Sequence, residues 1–484
     1  MNKHLSFLLG PMAAILCGCT MAPEHERPEA PVPAAWPSGA AYKDAPATAD
    51  VPVAPDLEWR QFFTDERLVK IIETALDQNR DLRLATLNVE RARAMYGIQG
   101  AELWPVLNAT AAGSKQRVPA GVMGFPGAYK VQRYDVNLGI ASWEIDLFGR
   151  IRSLKDRALE EYLATEEARR GAQILLVSEV ASAYLTLAAD RENLGLARST
   201  LDTQQAACDL IRRRHEVGLT PELDLRQAQT RVDAARVDVA LYTQLVAQDE
   251  NALNLLVGAH APSELLPADL GSVSPPREIA AGLPSEVLLR RPDILQAESQ
   301  LKAAEANIGA ARAAFFPRIS LTAAFGTASN KLSGLFEPGS EAWNTGTEIV
   351  MPIFDARTWS ALDATKVDRK IAVVQYEKAI QTAFREVADA LAVRGTVEDQ
   401  LSAQQSLVDA VSETHRLSNE RYTKGIDSFL TVLDAQRSLY AAQQGLIAIR
   451  LARIANQVRL YAVLGGGGEQ IADEGGDEAD AGGS

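Results

Sequence analysis

The chain has 484 residues, with 49 Lys and Arg against 63 Asp and Glu, for a net charge of −14. That balance argues against nucleic acid as a partner. Of its three cysteines, at positions 17, 19 and 208, two fall in an N-terminal export signal, so a disulfide framework within one chain is excluded.

Lys3 and His4 precede an apolar run, Leu5 to Leu16, and small residues follow. This pattern predicts a secretory signal peptide over residues 1–18, too short to stay as a spanning helix. Leu16-Cys17-Gly18-Cys19 resembles a bacterial lipobox. That resemblance implies cleavage before Cys19 and a thioether link from its thiol to diacylglycerol. An ordinary signal peptide with a chance cysteine is the competing reading. Thr20, not an aspartate, follows Cys19, so sorting to the outer membrane is expected. Residues 21–56 have many Pro and Ala and few large apolar side chains. We therefore read 19–58 as a lipidated N-terminus and extended tether.

The body is written twice. The segment 76–107 reappears at 289–319, with Asp81 on Asp293, Ala85 on Ala297, Gly97 on Gly309 and Pro105 on Pro317. A second pair, 213–229 and 420–436, sets Gly218 on Gly425, and Gly258 falls on Gly465. The duplication predicts two repeats, 59–270 and 271–465. Each holds a helix, two strands and two long coiled-coil helices, a mainly α fold with β.

Within the repeats, Tyr134, Val136, Leu138 and Ile140 alternate with Asp135, Asn137, Gly139 and Ala141. In the second copy Ile319, Leu321, Ala323 and Phe325 alternate with Arg318, Ser320, Thr322 and Ala324. Their expected partners are the stretch after Pro105 and residues 343–351. Alternation over about ten residues is the signature of a membrane β-strand with one lipid face. No segment after the signal peptide reads as long enough for a transmembrane helix. Lipid does not tolerate open sheet edges. Four strands cannot close a barrel, and two chains would make one filled by its own side chains. An open channel therefore needs at least three chains.

The long helices carry heptad seams: Leu187, Leu194, Leu201 and Cys208 in one copy, and Val397, Leu401, Val408 and Val411 in the other. Cys208 reads as a small core residue. A proline-free stretch from about Phe148 to His215 would reach on the order of 100 Å as one helix. The following helices repeat the pattern at Ala235, Val239, Tyr242 and Val246, and at Ala435, Leu439, Ala442 and Leu446. Tight turns at 216–221 and 423–428 join them, each with one glycine suited to a C-cap. Thr220 with Pro221, and Asp427 with Ser428, are expected to cap the next helix. The acidic, Gly-rich tail, 466–484, reads as disordered.

Several motifs together resemble the outer-membrane factors of the TolC superfamily, in the NodT-type lipoprotein branch serving tripartite RND efflux pumps. They are Trp59-Arg60-Gln61-Phe62-Phe63; Gly282-Leu283-Pro284-Ser285 with Leu288-Leu289-Arg290-Arg291-Pro292-Asp293; Ala314-Phe315-Phe316-Pro317; and Arg421-Tyr422 with Gly425, followed by LTVLDAQR at 430–437. The resemblance implies a homotrimer with a twelve-stranded β-barrel in outer-membrane lipid and a periplasmic α-helical barrel. It also implies hairpin tips that close the inner end and dock a periplasmic adaptor protein, itself bound to an inner-membrane RND pump. The tip residues would be Arg214, Gly218 and Leu219, with Arg421, Gly425 and Ile426. His215 stands where the second copy has Tyr422, a departure from the pattern.

Asp224 and Asp427 lie just past the tips, and in a trimer each would recur three times. They are candidate periplasmic gate residues, as carboxylate rings or as partners of Arg214 or Arg421; helix capping is the competing role for Asp427. No Gly-rich phosphate loop, nucleophile elbow or ligand cluster is present, so no enzyme, cofactor or metal is expected. His215 and His415 read as isolated histidines. The expected function is an outer-membrane efflux duct. A type I protein-secretion conduit and a pore-free periplasmic coiled-coil lipoprotein are the alternatives.

Overall fold

A computed structural model describes residues 20–43, 53–121, 127–280 and 285–468. The signal peptide, Cys19, the Gly282-Leu283-Pro284 motif and most of the acidic tail lie outside them. A short turn at Trp59–Phe62 leads to α1 (Glu66–Gln78) and α2 (Arg80–Ala101), then β1 (Leu107–Val118) and β2 (Tyr129–Glu144). Two long helices follow, α3 (Arg150–Glu216) and α4 (Glu222–Val257). The second pass gives α5 (Pro292–Ala313), β3 (Arg318–Ser329), β4 (Glu341–Val350), α6 (Ala356–Thr423) and α7 (Phe429–Val463). The repeat holds closely: α2 and α5 have 22 residues each, α3 and α6 have 67 and 68, and α4 and α7 have 36 and 35.

The contacts divide the chain differently from the repeats. One compact unit contains the described residues up to Pro28 with Asn88–Thr165 and Gln296–Tyr376; the other contains Glu29–Leu87, Glu166–Leu295 and the chain from Glu377 onward. Each unit thus draws on both repeats.

The first unit holds one four-stranded antiparallel sheet, ordered β1-β2-β3-β4. A pore-free coiled-coil rod has no place for such a sheet. Its register fixes the faces. Ala109, Leu138, Phe325 and Trp343 are cross-strand neighbours on one face, and Thr110, Asn137 and Gly326 on the other. Leu138, Phe325 and Trp343 are exposed, an apolar row facing outward from the single chain. On the polar face, a Cβ at Gly139 would lie 2.2 Å from the Ala323 carbonyl, and one at Gly326 would lie 2.0 Å from that of Val136. Glycine there lets β2 and β3 approach closely, and a bulge between Ile140 and Trp143 adds curvature. Strands β1 and β4 each have only one partner among the described residues.

The segment expected as a tether is extended, but it lies on helices. In the first unit His25 Nδ1 is 2.8 Å from Glu305 and Arg27 donates to Glu298 at 2.7 Å. Ala22 fits against Gly309, where a Cβ would sit 2.7 Å from its nitrogen. In the second unit Trp36 stacks on Phe384 at 5.0 Å, Ser285 bonds the Pro33 and Ala34 carbonyls, and Lys43 pairs with Asp399. A Pro-rich chain cannot build a core, but it can be held by single anchoring side chains and by helix glycines that admit its backbone.

The expectation that no later segment is long and apolar enough to span a membrane is corrected. Helix α3 contains an 18-residue window with mean hydropathy 1.5, apolar enough by composition to cross a bilayer, and 61% of that window is buried within the protein.

The second unit has its own core. Leu187, Leu194 and Cys208 of the predicted seam are buried, and Leu201 is half-buried. Phe62 stacks on Tyr461 at 4.0 Å, and the Tyr461 hydroxyl donates to the Leu57 carbonyl. Arg291 is the physical content of the Arg-Arg-Pro-Asp motif. Its buried guanidinium bonds Asp293 at 2.8 and 3.0 Å, Glu386 at 2.9 Å and the Val463 carbonyl at 2.7 Å. It thereby ties the start of α5 to α6 and to the open carbonyl end of α7.

One seam contact opposes folding. Asp249 on α4 is pushed up to about 6 by burial and by the nearby Asp190 carboxylate of α3. Its Oδ2 is buried without a donor. Because the folded state holds this proton more tightly than the unfolded chain, the penalty is absent below about pH 4 and full above about pH 6. Asp249→Asn should therefore raise the melting temperature at pH 7.5 and leave it unchanged near pH 4. An equal shift at both pH values would contradict this.

Candidate functional site

Both long hairpins turn in the same way, and the backbone explains why. Gly218 and Gly425 take left-handed φ values of 77° and 72°. The Gly218 amide donates to the His215 carbonyl (2.9 Å) and that of Leu219 to Arg214 (2.8 Å). The second hairpin repeats this with Gly425 on Tyr422 (2.9 Å) and Ile426 on Arg421 (2.9 Å). These paired bonds form the Schellman closure, which places glycine at the left-handed position. Arginine four residues before glycine thus contributes a carbonyl as well as a side chain. Cations in the last turns, Arg213, Arg214 and Arg421, also complement the helix ends.

The tips expose apolar side chains. Leu219 is 71% exposed and Ile426 59%; Val217, Leu223 and Leu430 are exposed beside them. Behind them lies a packed plug of Cys208, Ile211, Ala228, Val232, Phe429, Val432 and Leu433. It joins α3, α4 and α7, so the two tips sit on one support.

The polar groups differ between the copies. Arg421 grips Asp427 in its own hairpin, with Nε–Oδ2 at 2.6 Å and Nη2–Oδ1 at 3.0 Å. Each holds the other in its charged form: Arg421 keeps the Asp427 carboxyl below its ordinary range. In the first hairpin Thr220 occupies the place of Asp427. There His215 Nδ1 lies 2.9 Å from the Thr220 carbonyl. Arg214 is left to reach the other hairpin, where it donates to the Tyr422 hydroxyl at 3.3 Å with its guanidinium 5.6 Å from the ring centroid. Tyr422 in turn packs on Phe429 at 5.2 Å. The departure at His215 therefore accompanies a redirected arginine.

The expected capping roles are not found. The N-caps are Pro221 and Ser428, and neither α4 nor α7 has a side-chain cap bond. The Thr220 hydroxyl is buried without a partner. Asp427 is held away from the helix start by Arg421. Asp224 lies in the first turn of α4, its amide donating to the Pro221 carbonyl at 3.2 Å, and makes no ion pair among the described residues. His415 is half-buried and its pKa is lowered by that burial. Among the described residues no three His, Cys, Asp or Glu side chains gather as a metal site. The Arg214–Tyr422 bridge is the feature that sequence reasoning missed. The aromatic-for-histidine difference between copies was its only signal.

The geometry has known counterparts. A family model described as outer membrane efflux protein matches residues 71–259 and 283–466. The toluene efflux pump outer membrane protein TtgC of Pseudomonas putida is 49% identical over 471 residues, covering 96% of each chain. The crystal structure of a membrane protein from Pseudomonas aeruginosa superposes with a TM-score of 0.86 at 41% identity, covering 92% of this chain and 100% of that one. The open-state MtrE outer membrane channel of Neisseria gonorrhoeae gives 0.83 at 37% identity, covering 93% and 98%. A duplicated chain with a four-stranded sheet and two long helical hairpins, matched over nearly its whole length, belongs to the outer membrane efflux protein family and is an outer-membrane efflux channel with a periplasmic helical domain.

Proposed function

We propose that three copies of this chain close one twelve-stranded barrel, four strands from each, and serve as the passive outer duct of a tripartite RND-type export system. The observation that carries this is the sheet with both edges unpaired among the described residues and an exposed apolar row on one face. In lipid each unpaired backbone group costs several kcal/mol, so the edges must meet those of identical neighbours. The polar face then lines the pore. The two sequence repeats, 59–270 and 271–465, each supply two strands and one hairpin to this assembly. The relative named for toluene efflux suggests small apolar cargo; the pump and adaptor choose it.

The mature chain begins at a lipid-modified Cys19, one residue before Thr20. Intact mass should start at Cys19 and include acyl chains; an unlipidated N-terminus elsewhere would contradict this.

The hairpin tips dock the periplasmic adaptor. Arg214, Gly218 and Leu219 in one tip, with Arg421, Gly425 and Ile426 in the other, offer apolar knobs on rigid turns. Replacing Gly218 and Gly425 together by Asp strains both left-handed positions and charges the apolar tips. Efflux in cells should be abolished while the trimer still assembles; unchanged solvent or drug tolerance would rule out docking there.

Asp224 and Asp427 are the proposed gate carboxylates. In a trimer each recurs three times, attracting cations to the constriction. The Arg421 clasp sets where Asp427 points. Asp224→Ala with Asp427→Ala should raise single-channel conductance in planar bilayers and lower cation selectivity. Wild-type values of both would place the gate elsewhere.

A further inference from the structure

In an acidic chain, one pocket of the second unit is built from arginines. Arg277, from the loop before α5, faces Arg394 on α6 and Arg453 on α7 across a cavity of about 170 Å³. Glu278 and Glu398 also line it. Glu398 is engaged by Arg453 at 2.7 Å. Arg394 donates a long 3.4 Å bond to the Ile279 carbonyl, and the Arg277 side chain has no hydrogen bond or ion pair among the described residues. Gln457 lines the same cavity, and its Oε1 is buried without a donor. The pocket thus offers an exposed Arg277 and a half-buried Arg394 to a carboxylate, and a buried Gln457 Oε1 that lacks an N–H. An inorganic anion meets only the first. A peptide with acidic side chains meets both.

Such a peptide begins beside the pocket. Leu460 lines the cavity, and the next residue, Tyr461, packs against Gly466 and Gly467. Gln173 holds the Gly467 carbonyl at 3.1 Å. The described chain ends one residue later, at Gly468, in the same compact unit. Residues 469–484 follow, with Glu469, Asp473, Glu474, Asp477, Glu478 and Asp480. At about 3.3 Å per residue their span is on the order of 50 Å, ample for the reach.

We infer that the acidic C-terminal tail docks in this arginine pocket, its carboxylates on Arg277 and Arg394 and a backbone N–H on Gln457. The contact is electrostatic and partly exposed, so it weakens with salt. It fastens the C-terminus across α6 and the loop before α5, away from the hairpin tips along the sequence.

Cysteine trapping in the full-length purified protein tests this. Glu278→Cys with Ala472→Cys leaves all three pocket arginines and all six tail acids in place. Glu73→Cys with Ala472→Cys is the control, since Glu73 is exposed in the same unit and pairs with Arg60 beside Trp59, close to Gly467, but outside the pocket. Mild oxidation should form the intrachain 278–472 disulfide at least tenfold faster than the 73–472 one, read by peptide mass spectrometry. Arg277→Gln with Arg394→Gln, or about 1 M salt, should remove most of that advantage. Equal rates at the two sites, or a pocket rate indifferent to the arginines, would overturn the proposal. So would slow trapping at both sites with pyrophosphate protecting the thiol introduced at position 278 from alkylation, which would assign the pocket to an external anion.

Discussion

The backbone edge of β1 and of β4 is the constraint on which the rest depends. Each strand has ten or more residues and one partner among the described residues. In water an unpaired edge can be solvated; in hydrocarbon it cannot. With each exposed group costing several kcal/mol, two bare edges amount to roughly tens of kcal/mol. That exceeds the whole stability of a typical domain. A chain with this sheet must therefore add its edges to other edges, and the side-chain pattern tells where. Leu138, Phe325 and Trp343 form the apolar outer row, while Gly139 and Gly326 leave the inner face thin enough to curl.

The helices answer a different demand, a wall and a mouth at fixed geometry. Length is not set by propensity alone, because isolated helices gain most of their stability from packing. Here the seam residues supply it, and Arg291 ties the start of α5 and the end of α7 to the middle of α6 through one buried guanidinium. At the turns, glycine in the left-handed region makes each hairpin tight without side-chain caps. The tips can then present apolar residues on a stiff base while ionic contacts remain exchangeable. Arg421 with Asp427 is exposed and short-range, a contact of the kind that forms and breaks readily.

Much of this was legible in the sequence, for reasons of periodicity. The alternation at 134–141 and 318–325 found two strands of the sheet, and the pair Gly218/Gly425 marked helix ends that prove left-handed, as does the duplicated pair Gly258/Gly465. Duplication doubled each signal. What sequence hid was pairwise and non-local. His25 and Arg27 carry no pattern that names Glu305 and Glu298 as partners, so the sequence shows an extended segment but not the contacts that anchor it. Asp427 has the composition of a cap, yet Arg421 outcompetes the helix amides for it. Arg214 and Arg421 look equivalent in register, but the residues around them send one across to Tyr422 and the other back to its own turn. The apolar window within α3 meets the composition of a spanning helix, and its burial within the fold is what composition does not show.

The central claim is that open edges are closed by copies of the same chain. Native mass spectrometry of detergent-extracted protein, on the sample that forms channels in planar bilayers, tests it directly. The account predicts a mass of three chains and no channel activity from smaller species. A channel-forming monomer or dimer would contradict it.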